Sequence, residues 1–309
     1  MFVGRVREVW RYPLKSMAGE RLEAASVGAR GVYGDRGWAL RDEQAGEIRG
    51  AKRSPALMLC AARYREEPAA GGAPPHADIK LPDGSQTSTD DPKVNGLLSD
   101  LLGREVTLWP LRPASDRAHY RRAIPAARVL GFLSRSRNFR RLAVGAMRLA
   151  GKDRELREEF GREPGESLPD LSLLPAEIFE FTSPPGTYFD AFPIHLLTTA
   201  SLAALARHAP ETAWDARRFR PNFLIETPEG VEGLVESGWG GRGLRVGGLT
   251  LKCEMPAPRC SMTIQAQAEL PKDPRVLRTI VKEAKQNFGI YANVESAGRV
   301  RVGDEVTLV

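Results

Sequence analysis

Short apolar runs broken by glycine and proline dominate the first third of this chain. Val3, Val6 and Val9 lead into Trp10, and the run breaks at Tyr12-Pro13. Gly28, Gly31, Gly34 and Gly37 recur every third residue, too densely for a helix interior, and mark turns and barrel corners. Trp38-Ala39-Leu40 and the polar stretch Asp42–Glu47 behind it predict a strand, a turn and a return strand. Ile79-Lys80-Leu81 runs into a Pro-Asp-Gly turn. Val94 to Leu102 predicts a short helix, and Val106 to Leu111 a strand.

Residues 112–170 read differently. Arg117, Arg121, Arg122, Arg128, Arg135, Arg137, Arg140, Arg141 and Arg148 sit among alanines and leucines, and the pattern turns acidic between Asp153 and Glu166. This predicts an inserted helical or partly mobile segment whose arginines face solvent. From residue 190 order returns. A helix is expected from Leu202 to His208, capped by Ser201 or Thr199. Phe223-Leu224-Ile225 reads as a buried strand, Gly238–Gly248 as turn-like, and Leu249–Glu254 alternates as a strand. Val276–Gln286 has a helical apolar face, and Arg299–Val309 predicts a hairpin about a Gly-Asp turn. The fold class expected is α+β, mainly β: a β-barrel domain over 1–110, an arginine-rich insert over 111–189 and a second barrel domain over 190–309.

Composition narrows the class. Of 309 residues, 42% are hydrophobic and 27% charged, enough to bury sizeable cores. The formal charge of +6 is mild and points only weakly to an anionic partner. Three cysteines cannot build a disulfide framework and suit a reducing compartment. The N-terminus does not read as a signal peptide, and no apolar run is long enough to span a membrane. A cytoplasmic location is the expectation.

Phosphate-loop, nucleophile-elbow and zincin motifs are absent. His76, His119, His195 and His208 are scattered, and His195 reads as a core histidine. Cys253 and Cys260 are poorly spaced for zinc. Cys260 stands out because Pro256 and Pro258 stiffen its approach and Arg259 precedes it. A neighbouring cation favours the thiolate, the form that ligates soft metals.

Several motifs fall in a recognisable order. They are Tyr12-Pro13-Leu14-Lys15-Ser16, Asp35-Arg36-Gly37-Trp38, Ala200-Ser201-Leu202, Phe219-Arg220-Pro221-Asn222, Arg259-Cys260 with Thr263, Phe288-Gly289-Ile290-Tyr291 and Val302-Gly303-Asp304. Together they resemble the MOSC superfamily with its N-terminal MOSC_N β-barrel domain, the arrangement of the mitochondrial amidoxime-reducing component and its bacterial relatives. The resemblance covers about residues 1–110 and 190–309.

It implies a molybdenum cofactor, a molybdopterin dithiolene carrying a terminal phosphate. Cys260 would be the catalytic cysteine and the metal's protein ligand. Lys15, Ser16, Arg36, Ser201, Arg220, Asn222 and Arg259 would be the cofactor-binding residues. The implied activity is reduction of N-hydroxylated or N-oxide substrates, with electrons from a separate ferredoxin-, flavodoxin- or cytochrome-type donor. Relatives often carry an acid where this chain has Thr199, and Thr-Ala-Arg where it has Gly50-Ala51-Lys52. Two rival readings stand beside this one. One is a sulfur carrier with a persulfide on Cys260. The other is a non-enzymatic anion- or nucleic-acid-binding module, disfavoured by the modest charge.

Overall fold

The computed structural model describes residues 1–124, 127–140 and 153–309. The chain opens with β1 (Phe2–Arg11), whose alternation turns Val6 and Val9 inward. Short strands β2 (Glu20–Leu22), β3 (Ala24–Gly28) and β4 (Gly31–Val32) come after it. Two three-stranded sheets come next. One joins β5 (Trp38–Asp42) and β6 (Glu47–Arg49) to β10 (Val106–Pro110). The other joins β7 (Ala61–Tyr64), β8 (Ala77–Lys80) and β9 (Gln86–Ser88). Leu14, Trp38, Leu57, Ile79 and Leu98 fill the core between them, with Leu98 supplied by the helix Val94–Leu102.

The C-terminal part contributes β11 (Ile194–Thr198), β12 (Phe223–Glu226), β13 (Gly243–Val246), β14 (Leu249–Pro258), β15 (Asn287–Ser296), β16 (Gly298–Arg301) and β17 (Glu305–Leu308). Six of these strands and β1 run in the order β12-β11-β15-β14-β13-β17-β1, and β1 pairs again with β12 to close a barrel. The β11–β12 pair is parallel. Strict alternation along β14 buries Leu249, Leu251, Cys253, Met255 and Ala257. The barrel core adds Val6, Leu196, Phe223, Ile225, Leu244, Ile290 and Val306. Burying each large side chain of this kind contributes about 1.5–3 kcal/mol. The helices Thr199–His208 and Pro274–Glu283 cover a second cluster built on Phe219, Leu224, Ile280 and Phe288.

Four local expectations are corrected. The first strand joins the C-terminal strands, because its apolar face fills the gap that β17 and β12 would otherwise leave as open edges. The glycine-rich stretch at 238–248 contains a strand, β13, fixed by β14 and β17 on its two sides. The C-terminal segment is not a hairpin: β16 pairs with β3 and β17 with β1 and β13, so the Gly303 turn carries the chain between sheets. The helix start is capped by Thr198, whose side chain accepts from the Ser201 amide.

The insert is helical at Arg117–Tyr120, Ala127–Leu133 and Asp153–Phe160. Several of its arginines are fasteners. Arg117 and Arg121 both pair with Glu180 and lie over the Phe181 ring. Arg122 donates to the Ile178 carbonyl and Arg140 to those of Ser172 and Ser134. Arg128, Arg135 and Arg137 are exposed, while Arg141 and Arg148 lie outside the described residues. No helix among the described residues is long and apolar enough to cross a membrane.

Candidate functional site

The chain leaves the barrel at the end of β1 and enters the N-terminal sheets through Tyr12–Ser16, so this segment lies at the junction of the two parts. Tyr12 is buried there, and its hydroxyl donates to the Pro221 carbonyl at 3.0 Å. Two guanidinium groups bracket its ring, that of Arg220 at 4.0 Å and that of Arg36 at 5.3 Å from the centroid. Stacking on an aromatic face partly offsets the cost of burying each cation.

Three candidate residues share an unusual backbone. Ser16, Arg36 and Arg220 have φ of 72°, 52° and 54°, in the left-handed region that non-glycine residues rarely occupy. Each such conformation costs about 1–3 kcal/mol and persists only where the surroundings enforce it. The Ser16 hydroxyl is fixed by the Ala51 amide at 2.9 Å, and the absence of a side chain at Gly50 leaves room for it.

Lys15 is nearly buried. Its ammonium donates to Asp190 at 2.6 Å, to the Tyr188 carbonyl at 2.6 Å and to Ser183 at 3.3 Å. Burial pulls the Lys15 pKa below its ordinary value, and Asp190 only partly compensates. Burial tends to raise the Asp190 carboxyl, but Lys15, Lys52 and Arg36 outweigh it and hold the carboxyl below the usual carboxylate range. The Asp190 side chain still keeps 59% of its exposure, so solvent screens this pair and its contribution to stability is modest.

Arg36 binds Asp35, which also accepts from the Tyr12 amide at 2.8 Å and from Asn222 at 3.2 Å. Arg220 donates to the Met17 carbonyl with one nitrogen, while its other terminal nitrogen is buried without a partner. Burial, then the like charge of Arg36, pulls the Arg220 pKa down to about 10. Asp215, five residues before Arg220, pairs with Arg217 at 2.7 Å.

Cys260 follows β14 after Arg259 and opens the tight turn Ser261–Ile264, where Thr263 donates to the Cys260 carbonyl at 3.0 Å. It is partly exposed. Cys60 and Cys253 are fully buried, and burial pushes their thiols up to about 11 and about 12. The sequence feature that set Cys260 apart thus coincides with a difference in access. Arg259 is held by the Phe219 carbonyl at 2.8 Å and by the His195 ring at 3.5 Å. His195 is a buried core histidine whose ring lies 5.5 Å from that of Tyr291, tilted by 59°. Burial and then Arg259 depress its pKa to about 3, so it is neutral at physiological pH. Burial raises the Tyr291 pKa. Arg259, next to Cys260, reaches the carbonyl of Phe219, next to Arg220, and so ties the Cys260 side of the site to the Arg220–Arg36 side.

Two predicted residues stand elsewhere in role. Asn222 has both ends of its amide engaged, accepting from the His195 amide at 3.1 Å and donating to Asp35, so it orients neighbours and leaves little to offer a ligand. Ser201 is not brought to this cluster. Its hydroxyl binds the buried Glu236 carboxylate, which also accepts from Thr198 at 2.7 Å. Asp190, Tyr12, Asp35 and Tyr291 were not singled out as site residues, though three of them lie inside or beside the quoted motifs.

The cluster is strongly cationic: Lys15, Lys52, Arg36, Arg220 and Arg259 against Asp35 and Asp190. With an orphaned nitrogen on Arg220 and another on Arg259, it fits an anionic group such as a phosphate. No group of three or more His, Cys, Asp or Glu suited to a metal occurs among the described residues, so a metal bound by Cys260 must bring its other ligands. A dithiolene cofactor does this. One groove of about 550 Å³, lined by Trp10, Trp214, Arg21 and Arg217 among others, contains none of these cluster residues.

Residues 3–104 match the MOSC N-terminal beta barrel domain and residues 184–307 the MOSC domain. The chain is 29% identical to mitochondrial amidoxime reducing component 2 of Rattus norvegicus over 98% of its own length and 83% of the relative's. It is 27% identical to the same component of Bos taurus, with the same shares covered. Against mitochondrial amidoxime-reducing component 1 of Mus musculus, identity is 26% over 99% of this chain and 83% of the relative.

Proposed function

We propose that this chain, which belongs to the MOSC family and pairs a MOSC N-terminal beta barrel domain with a MOSC domain, is a molybdenum-cofactor-dependent oxidoreductase that reduces N-hydroxylated or N-oxide compounds. The observation that carries the reading is the buried, partnerless nitrogen of Arg220 within a cluster of cations, joined to the Arg259–Cys260 segment through the Phe219 carbonyl. Its relatives' description as amidoxime-reducing components supports the substrate class. When bound, the cofactor supplies two-electron oxygen-atom chemistry at a dithiolene-held metal.

The chain's own residues bind and orient. Cys260 is the soft protein ligand for the metal. Lys15, Ser16, Arg36 and Arg220 hold the phosphate end, with Arg36 kept in place by Asp35 and Asn222. Arg259 is clamped by Phe219 and neutral His195, which fixes the residue preceding the thiol. The reaction takes an N-hydroxy group, two electrons and two protons to the N–H compound and water. Tyr291, held protonated by burial, lies beside His195 and is the proton-bearing group assigned to the Arg259–Cys260 side. The electrons come from a separate ferredoxin-, flavodoxin- or cytochrome-type donor.

The test is amidoxime reduction by molybdenum-loaded protein with dithionite as electron source, for wild type and Cys260→Ser. Amidine formed by the wild type and lost in the variant is expected. A loaded wild type that forms no amidine refutes the reading.

A further inference from the structure

Phe160, Gly161 and Arg162 lie between the two family-matched regions, at the end of the insert helix Asp153–Phe160. Yet they pack directly against the Cys260 turn. Gly161 has φ of 63°, and a β-carbon on it would stand 3.2 Å from both Cα and Cβ of Ser261 and 2.8 Å from Leu277. Only glycine allows so close an approach with that backbone. The Gly161 carbonyl accepts from Arg278, and the Phe160 ring lies 5.0 Å from the Lys52 ammonium. The segment therefore touches both sides of the junction.

Arg162 is 5% exposed. Its guanidinium donates to the Arg259 carbonyl at 2.9 Å, to the Gln286 side chain at 3.1 Å and to the Phe160 carbonyl at 2.6 Å. All three acceptors are neutral, and among the described residues no carboxylate pairs with it. Glu166, the nearest acid by its influence, is itself engaged by Arg278. A buried charge with no counter-ion is costly, and the structure meets that cost only with hydrogen bonds. The bond from Arg162 to the Arg259 carbonyl places its guanidinium one residue from Cys260.

We propose that Arg162 is a positioning and specificity-determining residue of the site: it fixes the Arg259–Cys260 backbone and makes the space beside Cys260 favour negatively charged groups. The insert thereby supplies a wall of the site. This rests on Cys260 being the functional thiol, but not on the metal, because the test uses cofactor-free protein.

Cys260 is the accessible thiol, so alkylation reports on it, with mass spectrometry confirming the modified residue. Iodoacetate is anionic and iodoacetamide neutral, so the ratio of their rates reads the local electrostatic potential, whatever the fraction of thiolate. The ratio is expected to fall about fivefold or more in Arg162→Gln, and to stay within about twofold of wild type in Arg162→Lys. A merely structural role would slow both reagents alike and would not be rescued by lysine. An unchanged ratio in Arg162→Gln overturns the proposal, as does a fall in Arg162→Lys as large as that in Arg162→Gln. Should Arg162→Gln not fold, Arg162→Met, which keeps the length of the side chain without its charge, is read in its place: a fall of the ratio supports the proposal and an unchanged ratio overturns it. Molybdenum content of the same variants, read separately, keeps failure of the cofactor reading distinct.

Discussion

Neutral His195 gives the fold a specific weakness to acid. Its ring is 4% exposed, lies 3.3 Å from the Phe288 carbonyl, and presents the same nitrogen to Arg259. Burial and Arg259 lower its pKa from 6.5 to about 3. In the unfolded chain the imidazole binds a proton below about 6.5, whereas the folded protein resists protonation down to about 3. The unfolded state therefore binds more protons throughout that window, and stability falls as pH falls. At pH 5 the deficit is about 1.5 pH units, or about 2 kcal/mol at 1.36 kcal/mol per unit. His119, also depressed by burial, adds in the same direction, and Glu236, raised by burial, acts in the opposite one. The comparison of wild type with His195→Gln removes both from the difference. Urea unfolding at pH 7 and pH 5 is the assay. The wild type is expected to lose about 2 kcal/mol more than the variant between the two. Equal losses in both proteins would show that His195 is not held neutral, and the arrangement drawn around Arg259 would fall with it.

Other outcomes rest on single contacts. Gly289 has φ of 80°, and a β-carbon there would sit 2.2 Å from the His195 ring and 2.6 Å from the Leu196 carbonyl. Gly289→Ala is therefore expected to cost more than about 2 kcal/mol in thermal or urea unfolding, and a neutral effect would contradict this packing. Arg220→Lys removes the fork that leaves one nitrogen free, so molybdenum content is expected to fall about tenfold while circular dichroism stays unchanged; full content would count against a phosphate contact there. Native protein is expected to take up one equivalent of a thiol reagent and denatured protein three, because Cys60 and Cys253 are buried. Rapid labelling of a second thiol in the native state would contradict the packing of the N-terminal core around Cys60 or of the barrel core around Cys253.

What the sequence made legible was local. Alternation identified β14, and the ordered motifs pointed to Lys15, Arg36, Arg220 and Cys260 before any geometry was known. Alternation says which face of a strand is buried but not which strand lies beside it, so the pairing of β1 with β12 and β17 was hidden. The Gly-Asp turn after Arg301 looked like a hairpin because a turn signal carries no information on whether its flanks share a sheet. Ser201 stands apart from the cluster for a related reason: the helix start could be read to within a few residues, but the buried acid that binds its hydroxyl is Glu236, 35 residues away. Arg162 was invisible among many arginines, since what distinguishes it is one hydrogen bond to a carbonyl 97 residues along the chain. Contacts of that separation depend on the fold and leave no local pattern.

Cys260 completing a molybdenum site gripped by the cations at the junction is the central claim. Elemental analysis of protein expressed with molybdate, in a host that makes the cofactor, tests it most directly, with wild type and Cys260→Ala side by side. Near-stoichiometric molybdenum in the wild type, falling sharply in the variant, is the predicted result. A wild type that stays free of molybdenum under those conditions contradicts the claim, and would turn attention to a persulfide on Cys260.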